Sequence, residues 1–145
     1  MVSAPPLRFR ADNAAYFNSH LKVAAVAMAG AMGALWVIGD PNVWAGAVAG
    51  LAAIAFRGWF LAAEELQAVW EIRGDELLGP GDRHVPLCQI ERTRTLGSFV
   101  QVITQAGDKH LIKYQADPAA TIAALRRAQA VSAIPARTRP NDHAV

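Results

Sequence analysis

The chain has 145 residues, 53% of them hydrophobic, and a formal net charge of +2 at pH 7. That length allows one ordinary domain, or a small domain plus a membrane segment. So slight a positive balance, with aromatic residues that are not interleaved among basic ones, excludes a nucleic-acid surface built on phosphate neutralisation and base stacking. Cys88 is the sole cysteine, so an internal disulfide and a CxxC metal or redox motif are excluded as well.

Residues 1–20 are mostly polar ("MVSAPPLRFRADNAAYFNSH") and read as an N-terminal segment ahead of the first apolar run. A secretory signal would place a short basic stretch directly before a compact apolar core, with a small-residue cleavage site behind it, so the run is expected to be retained.

The hydrophobic residues are segregated. Between Val23 and Phe56 the only charged residue is Asp40, whereas the chain from Arg57 onward carries 11 basic and 10 acidic residues. Two helices are predicted over 21–39 and 43–63, each close to or beyond the ~20 residues that cross a hydrocarbon core. The link "GDPN" combines a glycine stop with a proline and two turn formers, so the chain reverses and the helices run antiparallel. A buried helical pair in a soluble domain would show a polar face, and neither run has one over about four turns. A transmembrane hairpin over 21–63 is therefore expected. Trp36 and Trp44 flank the turn and Trp59 stands beside Arg57 at the other end, as interfacial indoles do. Arg8, Arg10, Lys22 and Arg57 all lie at that other end, which predicts a multi-pass protein with both termini cytoplasmic.

Small residues suggest helix contacts. Ala29, Gly30 and Gly33 in the first helix, and Gly46 with Gly50 as a GxxxG in the second, let backbones approach closely. Part of that capacity is expected to close the hairpin, and part to meet transmembrane helices of other subunits or a second copy of the chain. No histidine lies inside either run, so axial ligation of a haem or chlorophyll from mid-membrane is not expected, and His20 at the boundary reads as a solvated interfacial residue.

From Glu64 the texture changes. Short apolar stretches alternate with turn signals, and "AVWEIR", "ELLG", "HVPLCQI", "SFVQVITQ" and "KHLIKYQ" read as five antiparallel strands. Asp117 and Pro118 then open an amphipathic helix as N-cap and first helical residue. The expected module is an α+β curled sheet of about five strands covered by one helix, over residues 64–131, with 132–145 as a flexible tail.

The order of a membrane hairpin, a strand carrying tryptophan, "LLGPG", "VPLCQIERT", a hairpin with "GDKHLI" and a closing helix resembles the bacterial pleckstrin-homology-like domains joined to short transmembrane segments. Within Val69–Val131 the likeness is carried by Val85, Pro86, Leu87 and Ile90. It implies a bacterial inner-membrane protein that binds and scaffolds, as some assembly factors of photosynthetic complexes do. It implies seven strands, two more than the sequence lets one place, and brings no catalytic residues.

The remaining candidates are weaker. Asp82 with His84 and Asp108 with His110 suggest metal ligands, but the aspartates occupy ordinary Gly-Asp turns and the histidines belong to different strands. Cys88 reads as a small buried hydrophobe. Glu91, Arg92 and Arg94 read as a charged turn. With Lys109 and Lys113 these arginines can face anionic headgroups or an acidic protein surface, although interspersed acids favour a mixed-charge soluble face. No phosphate loop, serine elbow or HExxH is present. The expectation is a non-catalytic accessory subunit or assembly factor of a respiratory or photosynthetic membrane complex, with no cofactor of its own. Its partners would be integral membrane subunits and lipid. The alternative is a tethered module that binds anionic lipid or a soluble protein transiently.

Overall fold

A computed structural model of the protein describes residues 5–134. Two units emerge, one formed by Ala11–Ala68 and the other by the chain on either side of it.

The first unit is a helical hairpin, α1 (Asn13–Val37) and α2 (Val43–Gln67). Against the expected 21–39 and 43–63, α1 starts eight residues early and ends two short, while α2 starts as expected and ends four residues later. Asp12 explains the early start of α1, since its carboxylate accepts from the Ala15 N–H at 2.8 Å and caps the first turn. At the far end Gly39 takes a φ of +75°, a conformation that suits glycine. The N–H of Asp40 then returns to the Leu35 carbonyl at 2.9 Å, closing α1. Asp40 in turn accepts from the Asn42 N–H at 2.7 Å, which turns the chain into α2. Both helices are long and apolar enough to cross a membrane, and little of either apolar window is buried, 6% in α1 and 11% in α2.

Among the described residues the second unit has seven strands in two antiparallel sheets. One is ordered β1–β2–β3–β4, from Leu7–Arg10, Val69–Arg73, Glu76–Gly79 and Arg83–Pro86. The other is β5–β6–β7, from Ile90–Leu96, Phe99–Thr104 and Lys109–Ile112. A single 3-10 turn over Leu87–Gln89 joins them, and α3 (Pro118–Ser132) closes the unit. Asp117 caps α3 through the Ala120 N–H at 3.1 Å, with Pro118 in the first turn.

The five-strand expectation is thus corrected to seven, for two physical reasons. "LRFR" lies before the hairpin, yet it pairs along β2 with Arg10 opposite Val69 and Leu7 opposite Ile72. The apolar hairpin is therefore an insertion between two paired strands, and the module does not begin at residue 64; Glu64 to Gln67 are the end of α2. "ERTRT" is not a turn but the body of β5, whose alternating Arg and Thr suit a strand with one covered face. Residues 135–145 of the expected tail lie outside the described residues, while Ser132 belongs to α3.

The core draws alternate residues from both sheets: Phe9, Trp70, Ile72, Leu77, Val85, Val100, Val102 and Ile112, with Leu87 from the 3-10 turn and Leu125 from α3. The Trp70 ring lies on the Gly79 backbone so closely that a Cβ there would stand 2.5 Å from it. Two side-chain amides, the half-buried Gln129 and the buried Gln115, complete the closure. Gln129 donates to the carbonyls of Leu87 at 2.9 Å and Ile90 at 3.0 Å, holding α3 on the junction of the sheets. Gln115 donates to Arg10 and Lys113 and accepts from Thr121.

Candidate interaction surfaces

The glycines expected to meet partner helices divide into two groups. Gly46 and Gly50 are buried against α1: a Cβ at Gly46 would lie 2.7 Å from the Ala31 and Met32 backbone, and one at Gly50 2.8 Å from Met28 N. Their GxxxG closes the hairpin itself. Gly30 and Gly33 have open space where a Cβ would stand. Ala29, Gly30 and Gly33 are all exposed, with Val26 (73%) and Val37 (77%) exposed on the Gly30 and Gly33 side of the helix.

Gly58 lies against His20, so the helices meet in rungs at Gly46 with Met32, Gly50 with Met28 and Gly58 with His20. This register places Lys22 level with Arg57. Beyond that level a polar contact joins the helices: the Tyr16 hydroxyl donates to the Gly58 carbonyl at 2.7 Å, and the His20 ring lies 4.1 Å from that of Tyr16. His20 is thus half-buried, with one side packed on Tyr16 and Gly58. Trp36 and Trp44 lie at the turn end and Trp59 beside Arg57, all three strongly exposed. A nearly apolar groove of about 350 Å³ runs along one side of the hairpin, between Phe17 and Leu21 on α1 and Leu51 and Trp59 on α2.

In the sheet unit the structure brings the four candidate cations together. Arg92 pairs with Ile103, which pairs with Lys109, and Arg94 pairs with Gln101, which pairs with Leu111. Directly opposed residues share a face. The inward partners are Val100, Val102 and Ile112, all wholly buried, so Arg92, Arg94 and Lys109 occupy the outward face of β5–β7, and Lys113 follows β7 by one residue. Between the cations stand Phe99, Ile103 and Leu111, half-buried. Glu91, at the bulge between Ile90 and Arg92, pairs with Arg92 at 3.2 Å.

The outward face of the four-stranded sheet carries ion pairs beside the exposed Arg10. Glu71 binds Arg73 at 2.7 Å and Arg8 at 3.1 Å, and Glu76 stands 3.6 Å from His84. The hydrogen bond from Arg73, helped by both guanidinium charges, holds the Glu71 carboxyl below its usual 4.5.

The other candidates separate. His84 faces Glu76, while His110 turns inward with its ring 6.0 Å from that of Trp70. Among the described residues no three His, Cys, Asp or Glu side chains group as a metal site. Cys88 is exposed on the 3-10 turn, not buried in a strand. Sequence reasoning missed the Tyr16, His20 and Gly58 contact and the role of "LRFR". Its alternation of apolar and basic residues, ahead of the hairpin, was the available signal for the strand. No protein-family model, no curated protein and no solved structure matches the chain.

Proposed function

We infer that the protein is a non-catalytic integral membrane accessory or assembly subunit. Its hairpin anchors it, and its sheet unit, a pleckstrin-homology-like module, works on the cytoplasmic side. The observation that carries this reading is the pairing of β1 with β2 across the hairpin. Strands that pair must lie on one side of a membrane, so the intervening segment enters and leaves on that side, as two crossings do.

The geometry of the hairpin supports insertion. From the level of Lys22 and Arg57 to Asp40 is about 27 Å at ~1.5 Å per residue, close to the ~30 Å of a hydrocarbon core. Two cations mark one boundary, where long side chains snorkel, and the tryptophans near the turn mark the other. Seven strands in sheets of four and three, closed by a C-terminal helix, support the pleckstrin-homology-like assignment better than five strands would. Gly46 and Gly50 are spent inside the hairpin, whereas the face of Gly30 and Gly33 stays open for helices of another subunit.

Extraction of the tagged chain from its native membranes in mild detergent, with native sizing and mass spectrometry of its company, tests this reading. A stoichiometric assembly with integral membrane subunits is expected; a chain that travels alone overturns it. A second reading, a tethered module that meets anionic headgroups transiently, draws on the cationic outward face of β5–β7. It predicts flotation with anionic over zwitterionic vesicles that falls as salt rises.

A further inference from the structure

Resting on the accessory-subunit reading, we propose that the outward face of β5–β7 is the docking surface for an acidic, amphipathic segment of a partner protein. Two observations carry this. The first is charge: on the four-stranded sheet Glu71 and Glu76 stand among Arg8, Arg10 and Arg73 and offset most of their charge, whereas on β5–β7 Arg94 and Lys109 have no ion pair among the described residues and Glu91 offsets Arg92 alone. The more cationic of the two faces is the one presented to an anion.

The second is the pattern within the face. Arg92 and Arg94 stand two residues apart on one strand, about 7 Å, a spacing that carboxylates three or four apart on a helix can meet. Guanidinium forks favour such planar carboxylates. Beside them Ile103 and Leu111 form an aliphatic centre, with Gln101 between Arg94 and Leu111 in the second row. An apolar side chain of the partner would cover that centre, while a layer of headgroups would set polar groups against it and leave its burial unrewarded. Three strands of this length offer about 300 Å², well under the ~800 Å² per partner of a free-standing interface. Membrane anchoring beside the same partner offsets the deficit, because a tethered contact acts at millimolar effective concentration.

The test uses the full chain in its native membranes, with the photo-crosslinker p-benzoylphenylalanine placed at Gln101. A control places it at Leu78, which lies between Glu71 and His84 on the outward face of the four-stranded sheet. Illumination is expected to give an adduct from Gln101 whose attached peptide is rich in Asp and Glu, with none from Leu78. The double variant R92E/R94E should weaken the adduct about tenfold, the value of two partly desolvated ion pairs. A phospholipid adduct, equal adducts from both positions, a peptide without acidic residues, or no adduct overturns the proposal. If the adduct fails while the chain still sizes with membrane subunits, the docking face falls and the accessory-subunit reading stands. If the chain sizes alone, that reading falls first.

Discussion

The side-chain amide of Gln115 donates to the backbone carbonyl of Arg10 at 3.2 Å, joining residues 105 apart in sequence. The same amide donates to the Lys113 carbonyl at 3.1 Å and accepts from the Thr121 hydroxyl at 3.0 Å, and its backbone N–H meets the Ser98 carbonyl at 2.7 Å. One buried side chain thus ties the strand that precedes the helical hairpin to the end of β7 and to α3. The sheet unit needs such a tie, because β1 is connected to the rest only through a long insertion whose loop-closure entropy must be recovered.

Replacing Gln115 by Ala should therefore loosen β1 before the remainder of the unit. Its partners lose buried hydrogen bonds, at a cost of about 2–3 kcal/mol. Hydrogen exchange on the full chain in detergent is expected to quicken at Leu7–Arg10, with the β6 amides less affected. Exchange rates that rise equally everywhere, or nowhere, contradict this role.

The hairpin glycines predict a division of effects. Leu at Gly46 or Gly50 must push α1 away from α2, since even a Cβ meets the backbone of Ala31, Met32 or Met28 under 3 Å away. Overpacking of this kind costs about 1–3 kcal/mol or forces the helices apart. Cysteine pairs placed across the hairpin should then lose their crosslinking. Leu at Gly30 or Gly33 meets open space and should leave that crosslinking intact while reducing co-purification of partner subunits.

Much of this architecture was legible from pattern. The two apolar runs and the "GDPN" reversal announce the hairpin, and Asp117 with Pro118 announces α3, because caps and turns are written locally. β1 was not, since four residues without a neighbour in sequence have only their alternation to declare them, and their partner lies beyond the hairpin. The grouping of Arg92, Arg94 and Lys109 was half legible: their charges stand in the sequence, but a shared face depends on the register among three strands. Which GxxxG glycines face inward is likewise a property of packing, and composition treats Gly30 and Gly46 alike.

Gly79 offers a sharper packing test. The Trp70 ring occupies the space a methyl would need, so Gly79→Ala should destabilise the sheet unit by about 1–3 kcal/mol and displace the indole. A weakened near-ultraviolet tryptophan signal together with a lowered unfolding midpoint is expected. An unchanged spectrum would mean that the ring does not rest on that backbone.

Acid should act through Glu71. Its carboxyl titrates below 4.5 when folded, because Arg73 and Arg8 favour the charged form, while in the unfolded chain it returns to the ordinary value. Between those two values the unfolded state binds more protons, so stability rises with pH there. The contribution is fully present above about 4.5 and is lost as pH falls through the lower, folded value. Glu71→Gln removes the titrating group, so the variant should be less stable than the parent near neutrality, and the gap should narrow as the solution is acidified. Unfolding midpoints of both proteins in the same detergent, taken from pH 7 downward, measure that gap. A gap that stays constant across the acid range would place the stabilising charge elsewhere than on the pairing of Glu71 with Arg8 and Arg73.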